Sequence, residues 1–501
     1  MEELFDSDSL TDIRLQEMLR LEANTWQLVD ALLDIRIPAD DAIAPKMPNA
    51  YSSDQAIVKY VTAMDVNLTE IMAIKRWLEA TAPELIPTET RKGYRPYTQK
   101  SVRSFSPRGN VALDPDGPIR TNTPLATEDL KYEQSLNRTL FSHVRRGRID
   151  DAIELCRACD EPWRAASFSG AVYFRDDFVD GILQDEVAAV GNVNRDLWKE
   201  TCDAIASEPS FDRYERAVYA ALSGNTEHVL PVCKTWEDFV WAHYNNYAEA
   251  LLSNHFATIP QMSKPNDEFQ KLHSVESAKL PAELFEWLSH CENLELIAAA
   301  QNPFRIFQAL LIVNRVDVLL MSVHQQLVQE SHSIPELPTV LRFVVHLILA
   351  LRSVSYPIEA KDSAHFIVYT YIQMLVAAQK KSIVAIYVGQ LPVSHQIEAY
   401  APFLENINGS KDERAEFVKQ GEKCGIDMHM ACKRAVELSF RGGIFEGLLP
   451  TKASMVFVSN MDDEIDQVSY KQIRALEWLL FDPLQQSDAL IQCNKLIRRF
   501  L

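Results

Sequence analysis

The sequence predicts an all-α fold laid out as an elongated, irregular array of helices. Apolar residues recur at a 3.6-residue period in one segment after another. No stretch sustains the alternation of a half-buried strand. Glycine, at 15 of 501 residues, is too scarce for the turns of a β-propeller or sandwich of this size. Proline and glycine punctuate the periodic segments from outside. A chain of 501 residues also exceeds one ordinary core, so several domains or one long array is expected.

Taken in order, the first segment sets Leu15, Met18, Leu19, Trp26, Val29 and Leu33 on one stripe, and the second does so with Ile57, Tyr60, Val61, Met64, Leu68 and Ile71. These belong to an N-terminal helical region, residues 1–87. From 88 to 128 the chain is rich in proline, glycine, serine and arginine, with too little apolar surface to offset the cost of ordering it, and a mobile loop is expected. Its basic front half, Arg91 to Arg108, suits an interaction peptide or a solvated linker. Ser106-Pro107 and Thr123-Pro124 are minimal proline-directed phosphorylation sequences of no weight by themselves. A helical region 129–360 and a last one, 361–501, follow. Their helical blocks, at about 282–328, 339–354, 363–378 and 472–501, end at stop signals such as Tyr356-Pro357, Gln390-Leu391-Pro392 and Phe481-Asp482-Pro483. No 34-residue or similar period links them, which excludes consensus tetratricopeptide, ankyrin and HEAT arrays.

One stretch carries more than periodicity: GRIDDAIELCRACDEPWRAASFSG, Gly147 to Gly170. Leu136, Leu140, Phe141 and Val144 make a stripe before it. Gly147 then stands where a left-handed residue closes a helix cheaply. Asp150 and Asp151 occupy the first turn of the next helix, where negative charge suits the dipole, and Ile149, Ala152, Ile153 and Cys156 form its inner stripe. The result is an antiparallel helix pair with a tight joint. Trp163, just after Glu161-Pro162, is expected to plug the corner to the following helix, and Arg164 to cap carbonyls or bind a carboxylate. Cys156 and Cys159 form a CxxC, but no second ligand pair accompanies it, and a thioredoxin-like βαβ setting is absent from the pattern. Packing is the reading for both thiols, and no metal is expected. Phe304 to Leu320, FRIFQALLIVNRVDVLL, is apolar nearly all round a helix. Either it is internal, the favoured reading, or Phe304, Ile306, Phe307 and Leu310 meet a partner.

Lys and Arg total 50 against 70 Asp and Glu, a net charge of -20 that disfavours direct contact with nucleic acid or anionic membrane. Eight cysteines over this length suit a reduced compartment. The start, MEELFDSDSL, is unlike a secretory signal, and the apolar runs FVVHLILAL and FIVYTYIQMLVAA fall short of a bilayer span. A soluble intracellular protein is expected, with the NxS/T sequons at Asn67, Asn137 and Asn408 there by chance. The chain lacks GxGxxG, the Walker lysine, HExxH and GxSxG, and no histidine pair shares a helical turn, so neither catalytic residues nor a cofactor site is assigned.

The string YEQSLNRTLFSHVRRGRIDDAIELCRACDEPWRAASFSG resembles the signature of the 84/107 nucleoporin family, a stem subunit of the Y-shaped coat of the nuclear pore. LDPDGPIR looks like the lead-in to that signature. QIRALEWLLFDPLQQSDALIQCNKLIRRFL is similar to a second family block, with Trp478 and the turn at Pro483. WEDFVWAHYNNYAEALL and LRFVVHLILALRS match its style. Gly147, Trp163, Arg164, Trp478 and Pro483 are the architectural signature. The resemblance implies a fold-back α-solenoid of the ancestral coatomer type, with trunk, crown and tail. Residues 129–360 would then be crown and trunk, and 361–501 the rest of the trunk and the start of the tail.

It implies a scaffold that supports pore assembly and the transport of protein and mRNA at both faces of the nuclear pore, in the nuclear envelope. Its crown would join a related, propeller-carrying nucleoporin, and its tail an outer-arm nucleoporin. The chain stops inside the Phe481 block where family members continue, so a shortened form lacking the far end of the tail is expected. Leu490, Ile491, Ile497 and Phe500 are then expected to be uncovered. The rival scaffolds, a vesicle-coat or tethering solenoid and a lid-type subunit, would carry a β-propeller or a terminal winged helix, and neither pattern is present. An enzyme on a helical scaffold is the remote alternative.

Overall fold

The computed structural model describes residues 2–37, 47–91, 93–105, 115, 117, 120, 125–180, 189–259, 281–329, 337–441 and 467–500. Ser106-Pro107, Thr123-Pro124 and most of the lead-in 113–120 lie outside them, as does the side chain of Phe500. Among the described residues there are 22 α-helices and no strand, with two isolated bridges, Tyr173 to Asn192 and Arg175 to Val190. The fold is all-α. The chain divides into two compact units, Met1–Asn314 and Arg315–Leu501.

The first unit begins with α1, Glu2–Arg36, which packs on α3, Val66–Ala80. The buried stripe of α1 is Met18, Leu21, Thr25, Leu28, Val29 and Leu32, whereas Leu15 and Leu19 are exposed. The expected stripe is therefore out of phase here: from Ile13 to Arg20 only Met18 is buried, and the covered arc runs through Met18 and Leu21 rather than Leu15 and Leu19. The second predicted segment is two helices, α2 (Asp54–Met64) and α3. Asp65 breaks them by accepting the Asn67 and Leu68 N–H groups, which opens a new N-terminus. Ile57, Val61, Leu68 and Ile71 are buried as expected, and Met64, at the break, is exposed.

Residues 88–105 are not a loop throughout, since Pro96–Phe105 form α4. Apolar surface is scarce there, as the composition says, but charge and hydrogen bonds hold the segment instead. Helix α5, Thr127–Arg145, and α6, Ile149–Ala158, are the predicted pair. Helix α7, Pro162–Ser169, leads to α8 (Arg195–Ser207), α9 (Arg213–Ser223) and α10 (Trp236–Thr258), which packs on α3. A capping box between Thr235 and Asp238 starts α10. Helices α11 (Pro281–His290), α12 (Leu294–Ala300) and α13 (Pro303–Ile312) complete the unit, with α13 against α1.

The second unit runs through α14 (Val316–Gln329), α15 (Leu337–Ser353) and α16 (Lys361–Ala377), which pack together. That packing carries the unit straight across the boundary expected at 360. Then come α17 (Val384–Val388), α18 (Val393–Glu405), α19 (Lys411–Lys423), α20 (Met428–Arg441), α21 (Gln467–Leu476) and α22 (Gln486–Phe500). The long apolar segment Phe304 to Leu320 is two helices, α13 and α14, because Asn314 adopts a left-handed conformation (φ +55°) between them. Among the described residues no helix is long and apolar enough to cross a membrane.

Candidate functional site

The Gly147–Gly170 stretch builds a charged corner. Gly147 has φ +68°, and a Cβ there would stand 2.6 Å from the Glu79 carboxylate, so conformation and space both call for glycine. Ala152, Ile153 and Cys156 face inward, as predicted. Glu161 and Pro162 turn the chain into α7, which carries Arg164 into the interior. Its guanidinium donates to Glu161 at 2.5 Å and to Glu215, on α9, at 3.0 Å. Burial works against the Arg164 charge, but Glu215 and Glu161 overturn it and hold the group above its ordinary value. Arg164 thus binds carboxylates rather than helix carbonyls.

Cys156 and Cys159 are buried free thiols, and burial pushes the Cys156 thiol up to about 12. A thiol kept protonated is a poor ligand and nucleophile. Among the described residues no group of three or more His, Cys, Asp or Glu is placed to hold a metal ion.

Trp163 stands at this corner with its indole nitrogen buried. The ring is only half-buried, with the Arg164 guanidinium 4.7 Å from its centroid, because α7 turns Arg164, Ala165 and Phe168 inward instead. Trp163→Ala should therefore cost roughly 1–2 kcal/mol, less than the 3–5 of an emptied aromatic core site. Urea denaturation measures it, and a loss above 3 would mean that the ring closes the corner after all.

The predicted partner residues divide. Phe304 and Phe307 point into the core, Leu310 is half-buried, and Ile306 is 37% exposed. Further exposed apolar residues of this unit lie in the described stretches between α7 and α8 and at the start of α8. Phe178 is 90% exposed, and Val179, Val190, Val193 and Leu197 are exposed as well. Polar contacts join the described residues here. Asp176 accepts the Phe178 and Val179 N–H groups at 3.1 and 3.3 Å, and Arg175 pairs with both oxygens of Asp177. That pairing holds the Asp177 carboxyl below its ordinary value. Asp180 accepts from the backbone and hydroxyl of Ser53 at 3.0 and 2.6 Å, and Arg175 exchanges two backbone bonds with Val190.

Behind these residues a buried charge cluster lies beside the partly buried Tyr173. Tyr173 stacks on Phe256 and lies under the Arg195 guanidinium, 4.3 Å away. Arg195 and Lys199 of α8 both reach Glu249 of α10, at 3.1 and 2.5 Å. Burial pushes Glu249 up, but the two cations overturn it and leave the carboxyl well below its usual range, while burial lowers Lys199. An exposed aromatic whose backbone N–H is bonded to Asp176 is a candidate for a binding hot spot. Sequence reasoning missed it. The only available signal was Phe178 between Asp177 and Asp180, an apolar residue in a run of acids.

In the second unit, Trp478 is buried, with the Arg414 guanidinium 4.9 Å from its ring. Pro483 opens a 3-10 turn whose Leu484 N–H is accepted by Asp482. Leu484, Leu490, Ile491 and Ile497 are exposed; the last three were predicted so.

A profile of the nuclear pore protein 84/107 family matches residues 16–501. Nuclear pore complex protein Nup107 of Mus musculus is 29% identical across 97% of this chain and 53% of its own length. Nucleoporin nup107 of Schizosaccharomyces pombe is 28% identical across 97% of this chain and 60% of its own. Nucleoporin NUP84 of Chaetomium thermophilum is 29% identical across 45% of this chain and 24% of its own. The chain thus spans little more than half the length of the Nup107 relatives. The match takes in the Gly147–Gly170 corner and the Trp478 block alike, and it makes the chain a member of the nuclear pore protein 84/107 family.

Proposed function

We propose that the chain is a structural scaffold subunit of the nuclear pore coat at the nuclear envelope, supporting pore assembly and the passage of protein and mRNA. On this reading it carries no chemistry of its own and contacts neither nucleic acid nor lipid directly. Its work is to hold neighbours: a propeller-carrying related nucleoporin through the crown, within 129–360, and an outer-arm nucleoporin through a tail. The single observation that carries the reading is the likeness to nuclear pore proteins over 97% of the chain. For the crown contact we take the exposed apolar residues Phe178, Val190, Val193 and Leu197 as candidates, since scaffold interfaces are built round an apolar centre.

The test is a titration of the purified propeller-carrying subunit against the full chain. Phe178→Asp together with Leu197→Asp should weaken binding about 30-fold or more, the loss expected from a hot spot worth about 2 kcal/mol. The melting temperature should not change. Undiminished binding places the crown contact on another face, and failure of the unaltered chain to bind removes the crown reading itself.

A further inference from the structure

Residues from Arg91 into α4 lie on the first unit as a bound peptide lies on a receptor. The Arg91 guanidinium sits 4.5 Å from the Tyr132 ring centroid and 5.7 Å from that of Tyr97, and the Arg91 N–H donates to the Tyr132 hydroxyl at 3.2 Å. The Gly93 N–H donates to the Asp160 carboxylate at 2.6 Å. Arg95 is buried, donates to Glu133 at 2.8 Å and lies over the Tyr94 ring. Thr98 donates its N–H to Asp129 at 2.7 Å, and its hydroxyl accepts the Ala126 N–H at 3.0 Å. That last exchange is a capping box divided between two segments. Asp129 satisfies the N–H of the third residue of α4, while Thr98 satisfies the N-cap residue of α5, which has no side-chain cap of its own.

The receiving groove is acidic and aromatic. Helix α5 supplies Asp129, Tyr132 and Glu133, and the joint before α7 supplies Asp160 and Glu161. Behind them, Glu133, Glu161 and Glu215 lie around the one cation of Arg164, so these three carboxylates are two positive charges short until Arg95 enters and supplies one. Burial pushes both Glu133 and Glu161 up, the mark of carboxylates in need of a counter-charge.

From Arg91 to Lys100 the docked segment contains no Ala, Val, Leu, Ile or Met. Paired charges, guanidinium-on-ring contacts and backbone donors attach it, which is how peptides are recognised, whereas core elements are held by apolar burial. Its backbone is left-handed at Gly93 (φ +89°) and at Arg95 (φ +49°). For arginine that conformation is strained, and it persists where surroundings over-determine it.

We propose that the groove between α5 and the 159–162 joint is a recognition site for basic, tyrosine-bearing segments with an Arg-x-x-x-Arg spacing. Residues 91–100 are its resident ligand, able to leave without unfolding the helices beneath. When they leave, the groove is open to a segment of the same chemistry from another molecule.

The probe is a fluorescent synthetic peptide of residues 88–100, titrated into the full chain and into a chain carrying Arg91→Ser and Arg95→Ser. Saturable binding is expected to the variant and at least about 10-fold weaker binding to the unaltered chain, whose groove is filled. Glu133→Gln added to the variant should abolish it, and raising the salt should weaken it. No binding to a folded variant, or equal binding to both chains, overturns the proposal. Should the variant fail to fold, hydrogen exchange of the unaltered chain decides. The Gly93 and Thr98 amides, both donors to the groove, should exchange at least about 10-fold faster than amides of α5 and α9. Exchange as slow as that of those helices would make the segment an integral part of the core.

Discussion

Glu249→Ala should destabilise the first unit by about 3–5 kcal/mol, because it strands two cations in the interior. Arg195 and Lys199 are buried as deeply as Glu249 itself, and water has little access to either once the carboxylate is gone. Removing the triad as a whole is a different operation. With Glu249→Leu, Arg195→Met and Lys199→Met together, desolvation of all three charges disappears with their attraction, and most of the loss should be recovered. Urea denaturation of the three proteins reads this directly, and a triple variant no better than Glu249→Ala would mean that packing or the Arg195–Tyr173 contact, not charge, sustains the site. Acid supplies a second readout. The Glu249 carboxyl is depressed in the folded chain, so its contribution is fully present above its unfolded value of about 4.3 and is lost as the pH falls below that toward the folded value. Between pH 6 and pH 3.5, Glu249→Gln should therefore lose less stability than the unaltered chain.

The second large effect is expected at Phe304. Only 1% of it is exposed, its ring meets Phe307 edge-on at 6.0 Å, and neighbouring Gln308 donates to the buried Thr25 of α1. Phe304→Ala should cost about 3–5 kcal/mol through the cavity it leaves between α13 and α1. Ile306, one turn face away, should tolerate Ile306→Ser within about 0.5 kcal/mol. Thermal melts of both variants, with partner titration of whichever is folded, separate core from interface. A folded Phe304→Ala chain that has lost its partner would restore the interface reading of this helix.

How much of this was legible in advance depends on the kind of question. The periodicity of apolar residues established the helical class. Proline at joints such as Pro357, Pro392 and Pro483 marked some breaks, whereas those at Asp65 and Asn314 were not read. Gly147 and the inner stripe of α6 were readable because helix ending and helix facing are local properties of a short run of chain. The family resemblance was legible for a related reason: the string from Tyr132 to Gly170 keeps its residues at fixed spacing within one continuous segment.

Tertiary structure decided everything that depends on a distant neighbour. Leu15 and Leu19 share the period of α1, but which arc of a helix is covered is set by the helices that lie against it. The segment after residue 88 reads as unstructured because its apolar content is low, yet Arg95 finds Glu133 38 residues away. Arg164 finds Glu215 across 51 residues, and Arg195 finds Glu249 across 54. A long charged side chain has many carboxylates to choose from, and only the fold brings one within reach in a water-poor setting. Phe178 and Phe304 make the same point in reverse. Both are phenylalanines in a chain with 22 of them, and their opposite exposure follows from which backbone segment the packing leaves on the outside.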